Sequence, residues 1–277
     1  MPSTIASINN TTLYYEDTGS GEPIVFSHGL LWSADMYKEI TSALAQEFRC
    51  ISYDHRGQGR SGEHEAEEIG IDLLCDDAIA LIESLNLGPV HFCGHSMGGF
   101  VALRLAKQRP DLVRSIVLCN TAADAEPAAK KFHYGLLNLF CRMFGPASVT
   151  DLVMPIMHSK KFMADKTRAT ERKAIRHAIA TNRRSIWRAV NGVLNRPCQR
   201  ETLNKINVPV LVLVGEEDRM RTSGEADLMV SGIANATLEV YPKGGHMLPV
   251  EEPAYVTEVI RKFIQKHKYA SSHLASG

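Results

Sequence analysis

Four short apolar runs, Ile24-Val25-Phe26, Cys50-Ile51-Ser52-Tyr53, Val90-His91-Phe92-Cys93 and Ser115-Ile116-Val117-Leu118-Cys119, recur between longer stretches of helical periodicity. Each run is too short for a helix, yet too continuously apolar for a strand with one face in water. Such segments suit central strands of a parallel sheet, buried on both faces. Between them, residues 35–48, 71–87 and 98–108 place apolar side chains at three- and four-residue spacing, and Arg109-Pro110 stops the last of these helical patterns. The order is βαβα, which predicts an α/β fold with a mostly parallel central sheet flanked by helices. An alternating pair, 4–8 and 12–16 around Asn9-Asn10, reads as an antiparallel hairpin at the sheet edge.

The rhythm breaks after Cys119 and resumes with the strand candidate 209–214, followed by a strand at 237–241, a final helix over 252–267 and a polar tail from Tyr269. The intervening patterns, 132–144, 149–157 and 171–194, are all helical. Residues 127–205 hold 16 Lys and Arg against 4 Asp and Glu, although the whole chain is balanced at 31 against 31. A block so different in charge is a distinct structural piece. We therefore expect residues 1–120 and 206–277 to form the core, with 121–205 inserted as a helical cap that is basic on its outside.

Several function classes drop out on composition. At 44% hydrophobic residues the chain can build a core without staples, and zero net charge gives no global case for nucleic acid. The six cysteines stand singly with no Cys-x-x-Cys pair, which predicts reduced, mostly buried thiols and no metal centre. Residues 1–10 lack a basic stretch followed by an apolar one, and no run approaches the ~18 apolar residues of a membrane span. The expectation is a cytoplasmic protein without stable membrane insertion. A homodimer is compatible with the sequence.

The chemistry is concentrated at Gly94-His95-Ser96-Met97-Gly98-Gly99, between the strand at 90–93 and the helix after it. Gly-x-Ser-x-Gly is common by chance, but here it has the strand before and helix after that a strained nucleophile turn needs. A serine hydroxyl is a poor nucleophile at neutral pH, so it requires a base, and the base requires an orienting carboxylate. Asp218, just past the strand at 209–214, and His246, past the strand at 237–241, stand in the expected chain order. Glu216, Glu217 and Asp124 are rivals for the acid; His28 and His95 are loop histidines expected to support the site, and His91 is a strand residue. An attacked carbonyl becomes an oxyanion, which calls for backbone N–H donors. Met97, following the serine, and Leu30, in Ser27-His28-Gly29-Leu30, are the candidates. Leu31 and Trp32, together with His28, Gly29 and the cap residues Leu136 and Phe140, are expected to line the substrate pocket.

His28-Gly29, Asp54-x-Arg56-Gly57-x-Gly59-x-Ser61, Gly94-x-Ser96-x-Gly98, Gly215-x-x-Asp218 and Gly245-His246 occur in the order and spacing of the α/β-hydrolase fold superfamily. The chain resembles that superfamily over nearly its whole length. Within it, Phe26-Ser27-His28-Gly29 and Ser96-Met97-Gly98-Gly99 are similar to small carboxylesterases, cofactor-free haloperoxidase-like proteins and enol-lactonases. Perhydrolase relatives often carry Pro two positions after the His-Gly pair, where this chain has Leu31. Epoxide hydrolases and haloalkane dehalogenases use Asp where this chain has Ser96. The resemblance implies a cofactor-free serine hydrolase acting on small esters or lactones, with an anionic enol-lactone or a C–C bond as alternatives. Some proteins of the superfamily keep these residues and serve as ligand receptors.

Overall fold

The computed structural model describes residues 3–272, with the side chains of 4–267. Eight strands form one sheet: β1 Ser3–Ile8, β2 Thr11–Thr18, β3 Glu22–Ser27, β4 Phe48–Tyr53, β5 Val90–His95, β6 Val113–Cys119, β7 Val210–Gly215 and β8 Ala236–Tyr241. Their spatial order is β1-β2-β4-β3-β5-β6-β7-β8, and every pair from β4 to β8 is parallel. The hairpin falls where the alternation placed it. Asn9 and Asn10 both take positive φ, as a two-residue turn between right-twisted strands requires, and β2 joins β4 antiparallel.

The central strands are buried on both faces, as their uninterrupted apolar runs demand. One layer of core packs the helices α2 Ile71–Ser84 and α3 Met97–Gln108 against the sheet; the other packs α1 Lys38–Leu44 and the C-terminal helix, Pro253–Ser272. Strand β8 is only half-buried and forms the second sheet edge. Among the described residues no helix is long and apolar enough to cross a membrane.

Between β6 and β7 the chain inserts five helices: α4 Ala128–Phe144, α5 Thr150–Met157, α6 Lys160–Ala164, α7 Ala169–Ala180 and α8 Trp187–Asn195. All five lie within the basic block 127–205.

Boundaries differ from the sequence reading in four places. The helix expected over 35–48 is a short turn at Ala34–Tyr37 followed by α1, because Phe48 is already the first residue of β4. The pattern 171–194 is two helices, α7 and α8, separated at Asn182, whose side chain donates to the Leu31 carbonyl instead of continuing a helical face. The final helix runs past His267 to Ser272, and the rest of the expected polar tail lies outside the described residues. A helix over Ser223–Gly232, α9, lies between β7 and β8 where none was read.

Candidate active site

Strand β5 delivers Ser96 at the carboxyl edge of the sheet. Its backbone is strained, with φ +48° and ψ −107°, and α3 begins at the next residue. The turn is that tight only because its flanking positions carry no side chain. A Cβ on Gly94 would collide with the Gly98 carbonyl, and one on Gly98 with that of Ser27. Two further bonds fix the turn: the Ser96 N–H donates to the Cys119 carbonyl at 2.9 Å, and Thr121 Oγ1 donates to the Ser96 carbonyl at 2.8 Å.

His246, past β8, brings Nε2 to 3.0 Å from Ser96 Oγ and Nδ1 to 2.9 Å from Asp218 Oδ2. All three side chains are buried. An ionised carboxylate only accepts, so Nδ1 carries the imidazole proton and Nε2 accepts from the serine hydroxyl. Asp218 is held as the anion. Burial pushes its pKa up, but the charge and hydrogen bond of His246, the Asn120 amide and the Arg221 N–H outweigh that and lower it. Asn120 Nδ2 donates to Oδ2 at 2.8 Å, and the Met220 and Arg221 N–H groups donate to Oδ1 at 2.8 and 2.9 Å.

The rival acids stand elsewhere. Asp124 pairs with Arg200, Glu216 accepts from the Lys243 N–H and Glu217 from the Lys160 N–H. His91 is a strand residue whose Nδ1 faces Ser115 Oγ at 2.7 Å. His95 donates from Nε2 to the His246 carbonyl at 2.7 Å, so it positions the loop that carries the imidazole. His28 lies behind the turn: its Nε2 accepts from the His55 N–H at 3.0 Å, and its Nδ1 is 2.7 Å from the Gly29 carbonyl.

The loop after β3 is gripped from both sides. The Leu31 N–H donates to Gln58 Oε1 at 3.1 Å, while the Leu31 carbonyl accepts from Asn182 of the cap. This grip holds Leu31 at a φ of +72°, rare for a branched residue. Gln58 belongs to the Asp54-to-Ser61 segment, whose Asp54 also accepts from the Ala34 N–H at 2.6 Å. Among the described residues the N–H groups of Leu30 and Met97 have no hydrogen-bond partner.

A cavity of about 110 Å³ opens over Ser96 and His246. Its wall is mainly apolar, from Leu30 and Leu31 of the loop after β3, Leu137 of α4, Val153 of α5 and Val193 of α8. Three expected pocket residues are not in this wall, and two more are on the opposite side of their helix. His28 and Gly29 sit behind it, where Gly29 gives room to the His95 ring, and Trp32 packs into the core layer beneath. Leu136 and Phe140 are exposed on the outer face of α4, because Tyr134, Leu137, Asn138 and Cys141 turn inward one helical step away. Leu31, expected in the wall, is there.

Sequence reasoning missed three contributors. Asn120 shares the Asp218 carboxylate at a positive φ of +47°; the available signal was an Asn, a residue that tolerates that conformation, directly after the apolar run of β6. Tyr134 lines the cavity. Glu126, buried, joins Arg196 at 2.7 Å to Arg221 at 2.9 Å, tying the cap to the loop that carries Asp218. Arg221 is the one cation in the cavity wall among the described residues, and it comes from the acid loop, not from the basic cap. Removing one member of a buried ion network strands the others, so Glu126→Ala is expected to cost about 3 kcal/mol of stability. Urea unfolding of that variant measures it; a midpoint equal to wild type would remove Glu126 from the scaffold of the site.

Burial also sets an acid limit. His28, His55, His91 and His95 are buried and held neutral, with pKa values lowered by burial, to about 4 for His91 and about 3 for His95. Unfolding returns each to the ordinary value of 6.5, so at intermediate pH the unfolded chain binds more protons. Stability is thus full above that value and falls as pH drops. The urea midpoint is expected to decline steadily from about pH 7 to about pH 5; a flat or rising profile would contradict the neutral assignment.

No group of three or more His, Cys, Asp or Glu among the described residues is arranged to hold a metal ion. All six cysteines are free thiols, five of them buried.

Residues 22–253 match the family model of the alpha/beta hydrolase fold. The chain belongs to the α/β-hydrolase fold family. A protein named as carbamate hydrolase RutD, from Rhizobium rhizogenes, is 27% identical over 257 residues, which cover 90% of this α/β-hydrolase and 95% of that protein. A thermophilic esterase from Thermogutta terrifontis, solved with malate bound, superposes at a TM-score of 0.88 with 27% identity, covering 96% of this chain and 99% of its own. An enol-lactonase from Burkholderia xenovorans superposes at 0.88 with 25% identity, covering 95% and 100%. This α/β-hydrolase is a hydrolase whose relatives span carbamates, esters and enol-lactones by name.

Proposed function

We propose that the protein is a serine hydrolase of small carboxylic esters or lactones, working through an acyl-enzyme. The observation that carries this reading is the hydrogen-bonded line Ser96–His246–Asp218 on a strained turn at the mouth of the cavity. Ser96 Oγ attacks the substrate carbonyl while His246 Nε2 takes its proton. The same imidazolium then protonates the departing alkoxide, and the C–O bond of the ester breaks. Water enters, gives a proton to His246 and attacks the acyl-Ser96 carbon; the imidazolium then returns that proton to Ser96 Oγ as the C–O bond to the serine breaks and the acid leaves. Asp218 stays ionised throughout, fixing the imidazole tautomer and offsetting its positive charge.

The Leu30 and Met97 N–H groups are the proposed oxyanion donors. Neither is spent on an internal bond, and Met97 opens α3, where the helix dipole favours negative charge. Gln58 and Asn182 contribute by holding the Leu31 peptide, which keeps the neighbouring Leu30 amide preorganised rather than leaving it to be ordered during reaction. The esterase and enol-lactonase names among the relatives agree with an acyl substrate.

A small, mainly apolar cavity selects a short acyl group. The test is a p-nitrophenyl ester series from acetate to laurate beside a lactone panel. The expected result is turnover with kcat/KM highest at short chain lengths. A well-folded protein that turns over no ester and no lactone would sink the proposal and favour C–C bond hydrolysis or ligand reception.

A further inference from the structure

Helix α4 shows apolar side chains on both faces. Its inner face lines the cavity, whereas Phe132, Leu136, Leu139, Phe140, Met143 and Phe144 form a stripe along its solvent side, each between 45% and 72% exposed. The spacing, i, i+4, i+7, i+8, i+11 and i+12, keeps all six on one surface for three turns of helix. Leu152 of α5 is exposed as well. Large apolar side chains scattered singly are ordinary on a protein surface, but a continuous stripe marks an interaction face.

We propose that the outer face of α4 docks on an anionic phospholipid bilayer. The occupant is argued from charge. Helix α4, which presents the stripe, carries Lys130, Lys131 and Arg142 and no Asp or Glu. Lys131, Arg142 and Arg184 are exposed on or beside the stripe; Arg142 pairs with Glu67, and Arg184 donates to the Met143 carbonyl. Asp151, at the start of α5, is paired with Arg176. A helix with aromatic and leucine side chains on one face and cations along its flanks is the chemistry of an interfacial helix, which lies in the headgroup plane and sinks its apolar face.

A second copy fits less well. A two-fold contact through this stripe would bring two copies of α4 together, each with Lys130, Lys131 and Arg142 and no acidic residue, and that like charge opposes the apolar gain. Docking by α4 would put the cavity about one helix diameter, ~10 Å, from the lipid surface. The docking site is independent of the hydrolytic reading, because binding is measured without turnover.

The test is co-sedimentation of the full chain with phosphatidylcholine vesicles, with and without a phosphatidylglycerol fraction, beside the triple variant Phe132→Ser/Leu139→Ser/Phe144→Ser. These side chains lie outside the cavity wall, so the variant should melt with wild type and hydrolyse a soluble ester as wild type does. We expect wild type to sediment with the phosphatidylglycerol vesicles, to be released by added salt, and to lose about tenfold or more of its binding in the triple variant. Wild type that stays in the supernatant overturns the proposal, and so does a triple variant that binds equally well. A concentration-dependent dimer in sedimentation velocity that the triple variant abolishes also overturns it, since a second copy then covers the face. Binding of a soluble acidic protein that outcompetes the vesicles assigns the face to a protein partner, with the same consequence.

Discussion

Ser96→Ala is expected to lower kcat by about four to six orders of magnitude while leaving the melting temperature near that of wild type. The size follows from what the variant removes. Ser96 Oγ is the only atom on the turn that His246 Nε2 can deprotonate, at 3.0 Å, and without it no acyl-enzyme forms. The stability expectation follows from what it keeps. The Ser96 backbone bonds, to Cys119 and Thr121, do not involve the hydroxyl, and Gly94 and Gly98 still permit the turn. Substrate binding should change little, because the apolar cavity wall is untouched. Steady-state kinetics on a short p-nitrophenyl ester measures it. Turnover within tenfold of wild type would move the nucleophile elsewhere.

Asp218→Asn is expected to cost about 10⁴-fold in kcat, with much less effect on KM. Both oxygens of this carboxylate are already saturated with donors. Oδ2 accepts from His246 Nδ1 and Asn120 Nδ2, and Oδ1 accepts from the Met220 and Arg221 N–H groups. An asparagine there must turn its NH₂ toward one of these pairs of donors. If it faces the two backbone groups, the acid loop shifts; if it faces His246, the imidazole must flip tautomer and present its proton to Ser96. The first outcome displaces the base at Nε2 and the second removes it. A kcat within about tenfold of wild type would mean that another carboxylate orients His246, and Glu216, Glu217 and Asp124 are each committed to other partners.

Much of this site was legible because the fold presents it in local pieces. Strands buried on both faces must be continuously apolar, so β3 through β7 announce themselves, and the residues that follow β5, β7 and β8 are then fixed at one edge of the sheet. Ser96, Asp218 and His246 could be placed from chain order alone. What could not be read was whatever depends on rotation about an element or on contacts far apart in sequence. Helix α4 carries apolar residues on both faces, so its periodicity does not say which face turns inward. The polar Asn138 decides it, by donating to the Trp187 carbonyl and to Asn191 across the cap. Leu136 and Phe140 were assigned to the pocket for want of that contact.

The same holds for support around the site. Glu126, Arg196 and Arg221 come from three separate segments, and no local pattern links them. Helix α9 was missed because it buries only Ala226 and Met229 and so has almost no apolar stripe. Its start, however, carries a legible signal: Thr222 and Glu225 form a reciprocal capping box. Asn182 looked like one more position in a long helical pattern, yet it ends the helix and reaches the loop after β3.

The most direct test of the account is covalent labelling with a fluorophosphonate, read by intact mass and by sequencing the labelled peptide. A serine activated by His246 attacks phosphorus, expels fluoride and retains the phosphonyl group. The account predicts one adduct per chain, located on Ser96 and absent from Ser96→Ala. An unlabelled, well-folded protein, or an adduct on any other residue, would contradict it.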